Sequence, residues 1–360
     1  MRDRKQEAPG NAIHRLKGQL RTQPGTGEGT QATPGQGPHT RLGSGRDDLR
    51  PASFRLGVGM SVAASGHGAP EQVGPKALIT QFTDPMMGLS WECEPALRRV
   101  ETHFPGAVDF DAAMGLLVRD VSDFMTPAER TLDASAGIRA YNARLADIYR
   151  EEEPLAGMPI NMEGFSLFSP ARRSSLPLNL AYEAVRLIAP GQAERFLYRL
   201  RFATVVECRP TTATEELVEV VRACGLDIGT FLAAFDGPAA RAALRASLER
   251  RAALGIRGLP AFMISYGDTR MLLGGVCDYD ALAAALERVS GGRLHPAAVS
   301  PTTTAVDQLL AAHPLLSDVE IGAALDLSGP DQARDLAAPL LDAGRARLLQ
   351  APRGWFIERV

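Results

Sequence analysis

Four cysteines are the residues of this 360-residue chain best suited to covalent chemistry. They are Cys93, Cys208, Cys224 and Cys277, and no two of them form a Cys-x-x-Cys pair. A redox dithiol or a structural zinc site normally places its cysteine or histidine ligands at short spacing. The spacing therefore predicts reduced, mostly buried thiols and no metal site.

Cys93 lies at the start of a predicted helix. Cys93, Leu97, Val100 and Phe104 recur at the spacing of one helical face, and Pro105-Gly106 ends the segment. This alignment predicts that Cys93 packs in the core as an inert thiol. Its use as a nucleophile is the alternative that the sequence leaves open.

Two predicted strands flank this helix. Ala77 to Phe82 is a short apolar run that ends at the turn residues Thr83-Asp84-Pro85, and Val108 to Met114 alternates apolar with acidic side chains. Helical patterns then dominate from about 126 to 255, and they predict helices at 137–151, 175–188, 192–205, 214–224 and 238–254. Two short strands, at Ala261 to Ser265 and Met271 to Gly274, and a closing helix follow. The order predicts an α/β domain over residues 76–298 with a helical insertion.

The two ends of the chain have a different character. Residues 1–75 are rich in Gly, Pro, Gln and Thr, a composition typical of a disordered extension, and Met60 is an alternative start. Residues 301–360 predict three helices, the second opened by a Ser317/Glu320 capping box, and then a β-hairpin. That order resembles a winged helix.

Composition excludes several classes of function. The net charge of -3 gives no general attraction to nucleic acid or anionic membranes, and acidic residues outnumber basic ones in the tail. No apolar run is long enough to cross a bilayer, so we expect a cytoplasmic protein with no membrane partner. The tail is expected to make protein contacts and not to bind nucleic acid. The oligomeric state stays open.

Two motifs resemble the DsbA family, including its FrnE-like cytosolic branch. Phe82 to Leu97, with Asp84-Pro85 and Trp91, is similar to the family's strand, turn and helix start. Gly255 to Phe262 is similar to the loop that carries the family's cis-proline. The resemblance covers roughly 215 residues and implies a thioredoxin-like fold and, by ancestry, a thiol-disulfide oxidoreductase or isomerase.

The family's two cysteine positions fall on Met87 and Ser90, so the Cys-x-x-Cys reads Met-Gly-Leu-Ser. The resemblance therefore implies a groove around Met87, Ser90, Leu259 and Pro260 that binds a peptide, a protein or a small thiol without dithiol chemistry. The alternative is a glutathione-dependent isomerase or transferase using Ser90, or a monothiol oxidoreductase using Cys93. Whether the chain is an enzyme stays open, with glutathione as the one candidate cofactor.

Overall fold

A four-stranded mixed sheet organises the first part of the fold in the computed structural model, which describes residues 75–360. Its strands are β1 (Ala77–Thr83), β2 (Val108–Met114), β3 (Ala261–Tyr266) and β4 (Thr269–Gly274). Their order is β2-β1-β3-β4, with β1 and β2 parallel and the other pairs antiparallel. The predicted extension, residues 1–75, lies almost entirely outside the described residues, as does Met60.

Thirteen α-helices fall within residues 75–360. Ten belong to the sheet and its insertion: α1 (Gly88–Trp91), α2 (Glu94–His103), α3 (Pro127–Thr131), α4 (Ala134–Glu152), α5 (Leu176–Ile188), α6 (Ala193–Val205), α7 (Thr214–Ala223), α8 (Ile228–Asp236), α9 (Pro238–Ala253) and α10 (Tyr279–Ser290). The thioredoxin-like α/β fold with added helices is thus confirmed. None of these described helices has the length and apolarity of a membrane span.

The predicted elements agree with the structure where the apolar periodicity is long. The helices expected near 137–151, 175–188, 192–205, 214–224 and 238–254 correspond to α4, α5, α6, α7 and α9. Two short helices, α3 and α8, were not predicted. Both begin at local caps: Thr126 and Glu129 form a capping box, and Asp227 accepts from the Thr230 amide. A cap followed by only one or two turns gives too little periodicity to detect.

The tail forms a second sheet. Its elements are α11 (Thr303–Ala312), β5 (Leu315–Ser317), α12 (Asp318–Ala324), α13 (Pro330–Asp342), β6 (Ala346–Gln350) and β7 (Trp355–Arg359), with strand order β5-β7-β6. The Ser317/Glu320 capping box is present as predicted. The short strand β5 was not predicted, because three residues cannot establish an alternation.

The tail packs against α1 and α2 through aromatic and ionic contacts. The rings of Trp91 and Phe356 lie 6.2 Å apart. Arg98 is 2% exposed, and its guanidinium lies within 4 Å of four carboxylates, which belong to Glu94, Glu101, Glu194 and Glu320. A buried arginine needs such partners to replace its lost hydration. One of the four, Glu320, belongs to α12, so this ion pair links the tail to α2.

Candidate functional site

The start of α1 holds Met87 and Ser90, the two positions that the resemblance aligns with the family's cysteines. Met87 is the N-cap of α1, has no side-chain capping bond and is 7% exposed. Ser90 is fully buried. The start of a helix stabilises a thiolate there through its free N–H groups, but neither of these side chains can form one.

Asp84 holds the loop between β1 and α1 through hydrogen bonds. It is fully buried, and its carboxylate accepts hydrogen bonds from the Met86 amide (3.1 Å), the Leu117 amide (2.7 Å), the Ser175 hydroxyl (2.7 Å) and the Asn179 amide group (2.9 Å). Burial raises the pKa of Asp84, while these donors oppose the rise. The four bonds join β1, the segment after β2 and the start of α5. We call these residues the Asp84 cluster, and its role is to hold the loop in place.

Ser90 belongs to a second buried network, centred on Arg201. The Thr83 hydroxyl donates to Ser90 Oγ over 2.7 Å and accepts from Arg201 Nη2 over 2.8 Å. The same guanidinium donates to Gln81 Oε1 over 3.1 Å and to the Glu94 carboxylate. We call these five residues the Arg201 cluster. Because the Ser90 oxygen is already engaged there, the serine stabilises the helix start.

Arg201 was not among the residues singled out in the sequence. Its signal was a charge on the inner face of the predicted helix 192–205, within Phe196-Leu-Tyr-Arg-Leu-Arg-Phe202. An arginine that is 2% exposed needs a buried acceptor. That acceptor, Glu94, is 107 residues away, so no local pattern connects the two.

Met87 and Leu259 lie in one apolar cluster, and Pro260 follows Leu259 in the chain. The Leu259-Pro260 bond is cis. Met87 and Leu259, each 7% exposed, pack with Phe82, Ala113, Ile256, Ala261 and Met263 in one apolar cluster. Ser90 lies outside that cluster. The four predicted binding residues are therefore divided between an apolar floor and the polar Arg201 cluster.

The rim of this floor is apolar and basic. Leu89, Leu117 and Leu254 are half-buried and pack against the floor. Arg251 donates to the carbonyl oxygens of Gly115 (2.7 Å) and Ile256 (3.2 Å). Arg119 and Arg257 are exposed. Burial lowers the pKa of Arg251, and the positive charge of nearby Arg119 lowers it further. Such a rim suits apolar side chains flanked by negative charge.

The end of α4 covers the other side of the loop. The Tyr149 hydroxyl donates to the carbonyl oxygen of Met86. A Cβ added at Gly88 would collide with Glu152 Oε2 and Tyr149 Cδ1, so glycine is needed between Met87 and Leu89. Burial raises the pKa of Glu152 to about 8, with nearby Glu151 adding to the rise. Within residues 75–360, Glu152 Oε2 has no hydrogen-bond partner.

None of the four thiols is activated. Cys93 is fully buried in the core that contains Val100 and Phe104, and burial raises its pKa far above the usual range. Burial also raises the pKa of Cys208, Cys224 and Cys277 to about 11 each. A thiol is nucleophilic as its thiolate, so the structure gives no support to Cys93 as a catalyst. No group of three or more potential metal-binding residues occurs in the described part of the chain.

Comparison with known proteins agrees with this architecture. The family model Thioredoxin_5 (Thioredoxin) matches residues 81–282. The ClpXP adapter protein SpxH of Shouchella clausii is 23% identical over 274 residues, which are 73% of this chain and 82% of that protein.

Two solved structures are also similar. One is a protein from Nitrosomonas europaea for which a disulfide isomerase activity is proposed, with a TM-score of 0.50, 19% identity and coverage of 61% of this chain and 99% of that one. The other is the cytosolic disulfide reductase DsbM of Pseudomonas aeruginosa, with a TM-score of 0.43, 19% identity and coverage of 65% and 98%. At this identity the first of them establishes the fold.

Proposed function

The chain belongs to the Thioredoxin_5 family, and from this premise we propose that it is a DsbA-type protein that binds an extended peptide or protein without dithiol chemistry. One observation carries the proposal: the helix start that would activate a thiol holds Met87 and Ser90, while the supports of that helix start are intact. Scaffold and reactive group are separable, so a family fold does not require the family reaction.

The chemistry of the groove favours an apolar and acidic partner. Its floor is the apolar cluster that includes Met87 and Leu259, and its rim adds three half-buried leucines. Arg119 and Arg257 place exposed positive charge beside it. An extended segment with leucine-like side chains next to aspartate or glutamate would match both features.

The relative described as a ClpXP adapter protein adds support of a different kind. An adapter works by binding one protein and presenting it to another, and needs no reactive thiol. We propose a role of this kind in the cytoplasm. The tail, whose order of elements we compare with a winged helix, would contribute protein contacts and no nucleic-acid contact.

The enzymatic alternative has less support. A glutathione-dependent isomerase or transferase would need Ser90 free to meet a thiol, but Ser90 is buried and its oxygen accepts from Thr83. A monothiol oxidoreductase would need an ionised Cys93, whose pKa burial raises. Both roles would require a rearrangement of the helix start.

The test is a direct binding titration. Fluorescently labelled α-lactalbumin, reduced and carboxymethylated, provides an unfolded, acidic, thiol-free chain whose anisotropy reports binding. Leu254→Glu and Arg119→Glu should each weaken binding about 5- to 10-fold, equivalent to roughly 1 kcal/mol. Leu132→Glu, at an exposed leucine of 49% exposure, is the matched control and should bind as the wild type does. No binding by the wild type, or equal affinity in all four proteins, would overturn the proposal.

A further inference from the structure

A cavity of about 440 Å³ lies between the sheet edge and the helices α2, α5 and α6. Ile79 and Gln81 of β1 and Phe110 of β2 form one side, and Leu97 and Leu197 belong to the facing helices. This volume falls within the roughly 300–1,000 Å³ range of small-molecule sites. The floor and rim of the groove at Met87 and Leu259 take no part in the lining, so the cavity is a separate site.

The inner end of the cavity carries hydrogen-bond donors without acceptors. Gln81 is 5% exposed and Arg201 is 2% exposed, and both line the cavity. Arg201 binds the Gln81 side-chain oxygen, which fixes the amide and leaves its NH₂ group for another partner. Among residues 75–360, neither Gln81 Nε2 nor Arg201 Nε has a hydrogen-bond partner. Buried donors of this kind are normally hydrogen-bonded in folded proteins, so each of these two lacks an expected partner.

The surrounding charge decides what kind of acceptor fits. Glu94 already binds the Arg201 guanidinium, and Arg98 lies among four carboxylates. The buried positive charge is therefore balanced before a ligand enters. A second carboxylate would meet Glu94 and Glu194 without a free cation, whereas a neutral carbonyl oxygen would accept from the two donors at no Coulombic cost.

The remaining walls are apolar, and the outer end is open. Ile79, Leu97, Phe110 and Leu197 line the body of the cavity. Glu194 and Arg186 line it too, with side chains that are 56% and 37% exposed, and they mark the solvent side. A ligand can therefore enter past Pro190-Gly191 with its polar end leading and its apolar part held by the walls.

We propose that this cavity binds a small uncharged molecule with an apolar body and a carbonyl or amide oxygen, which accepts from Gln81 Nε2 and Arg201 Nε. The site is independent of the peptide groove and of the function proposed for it. Arg201 is joined to Ser90 through Thr83, so two hydrogen-bonded residues would connect an occupant to the helix start.

Three phenyl compounds of similar size test which polar group the cavity binds. Benzamide offers a neutral carbonyl, benzoate a carboxylate, and benzylamine only a donor. Saturation-transfer NMR on the full chain should show benzamide bound at millimolar concentration, benzoate at least 5-fold weaker, and no benzylamine signal. Absence of benzamide binding, which would mean that the cavity holds water only, or equal signals from all three would overturn the proposal.

Two variants place any binding in the cavity. Leu97→Trp fills the space from α2 and should abolish the benzamide signal, while Leu187→Trp makes the same change at a 48% exposed leucine and should leave it unchanged. Gln81→Leu removes one donor with little change of volume and should weaken benzamide about 5-fold without weakening benzoate. Circular dichroism verifies folding. A benzamide signal that survives both Leu97→Trp and Gln81→Leu would contradict the site.

Discussion

The Asp84 cluster and the Arg201 cluster flank the same short loop, yet they differ in how completely their polar groups are used. Both oxygens of the Asp84 carboxylate accept hydrogen bonds, four in all. In the Arg201 cluster two donors are left over, and a cavity adjoins them. A buried polar group whose hydrogen bonds are all formed stabilises the fold, whereas one with an unpaired donor can still bind a ligand. We therefore assign a structural role to the Asp84 cluster and a place beside a candidate binding site to the Arg201 cluster.

The largest expected effect tests that difference directly. Asp84→Leu would remove the acceptor of all four donors in the Asp84 cluster, so we expect the free energy of unfolding in urea to fall by about 3 to 5 kcal/mol. Asp84→Asn keeps an acceptor and should lose less. Gln81→Leu strands only one guanidinium donor and removes an unpaired amide, so its loss should stay under about 1 kcal/mol. Equal losses for Asp84→Leu and Gln81→Leu would remove the distinction between the clusters.

Substitution of Glu152 is expected to raise the free energy of unfolding, whereas substitution of Asp84 lowers it, and the gain at Glu152 depends on pH. Burial raises its pKa from 4.5 to about 8, so the folded state binds the proton more tightly than the unfolded state does. Stability is therefore highest at low pH and falls as the pH rises from 4.5 towards 8. Glu152→Gln removes this contribution and should stabilise the protein by about 2 kcal/mol at pH 8, with little change at pH 5.

Urea unfolding at both pH values measures the Glu152 effect. Glu92, whose pKa burial also raises to about 8, should keep part of the slope in the variant. Glu163→Gln is the control, since Glu163 is exposed. If Glu152→Gln were no more stable than the wild type at pH 8, the carboxyl would be hydrated in solution.

Two serine substitutions, one in each cluster, have smaller expected effects on stability. Ser175→Ala removes a donor to Asp84 and the acceptor of the Val118 amide, so it should cost about 1 to 2 kcal/mol. Ser90→Ala removes only the acceptor of Thr83 and should cost less than about 1 kcal/mol. Thermal or urea unfolding decides the order, and a greater loss from Ser90→Ala would reverse our assignment of the two serines.

Much of the fold follows from local sequence patterns. The alternation of Val108 to Met114 and the long apolar periodicity of the insertion predict their elements to within a few residues. The motif around Asp84-Pro85 and the loop at Leu259-Pro260 indicate the two segments that meet in the apolar cluster of Met87 and Leu259. These signals are local, because each depends on a few neighbouring residues.

The site itself is less predictable for a physical reason. Arg201 meets Thr83 across 118 residues, and Glu152 reaches Gly88 from another helix. Their roles come from burial and from partners that only the tertiary fold supplies. The sequence is compatible with Ser90 as a ligand-binding hydroxyl or as a residue of the helix start, and in the structure its oxygen accepts a hydrogen bond from Thr83.

We propose that this thioredoxin-type scaffold carries out no dithiol chemistry, and a turnover assay with glutathione and a disulfide substrate decides the question. We predict that the wild type, Cys93→Ala and Ser90→Ala all stay at the uncatalysed rate. The Met87→Cys/Ser90→Cys double variant, which restores a dithiol at the helix start, should gain turnover. Wild-type turnover that disappears in Cys93→Ala or Ser90→Ala would contradict the account and show that the chain is an enzyme with a displaced site.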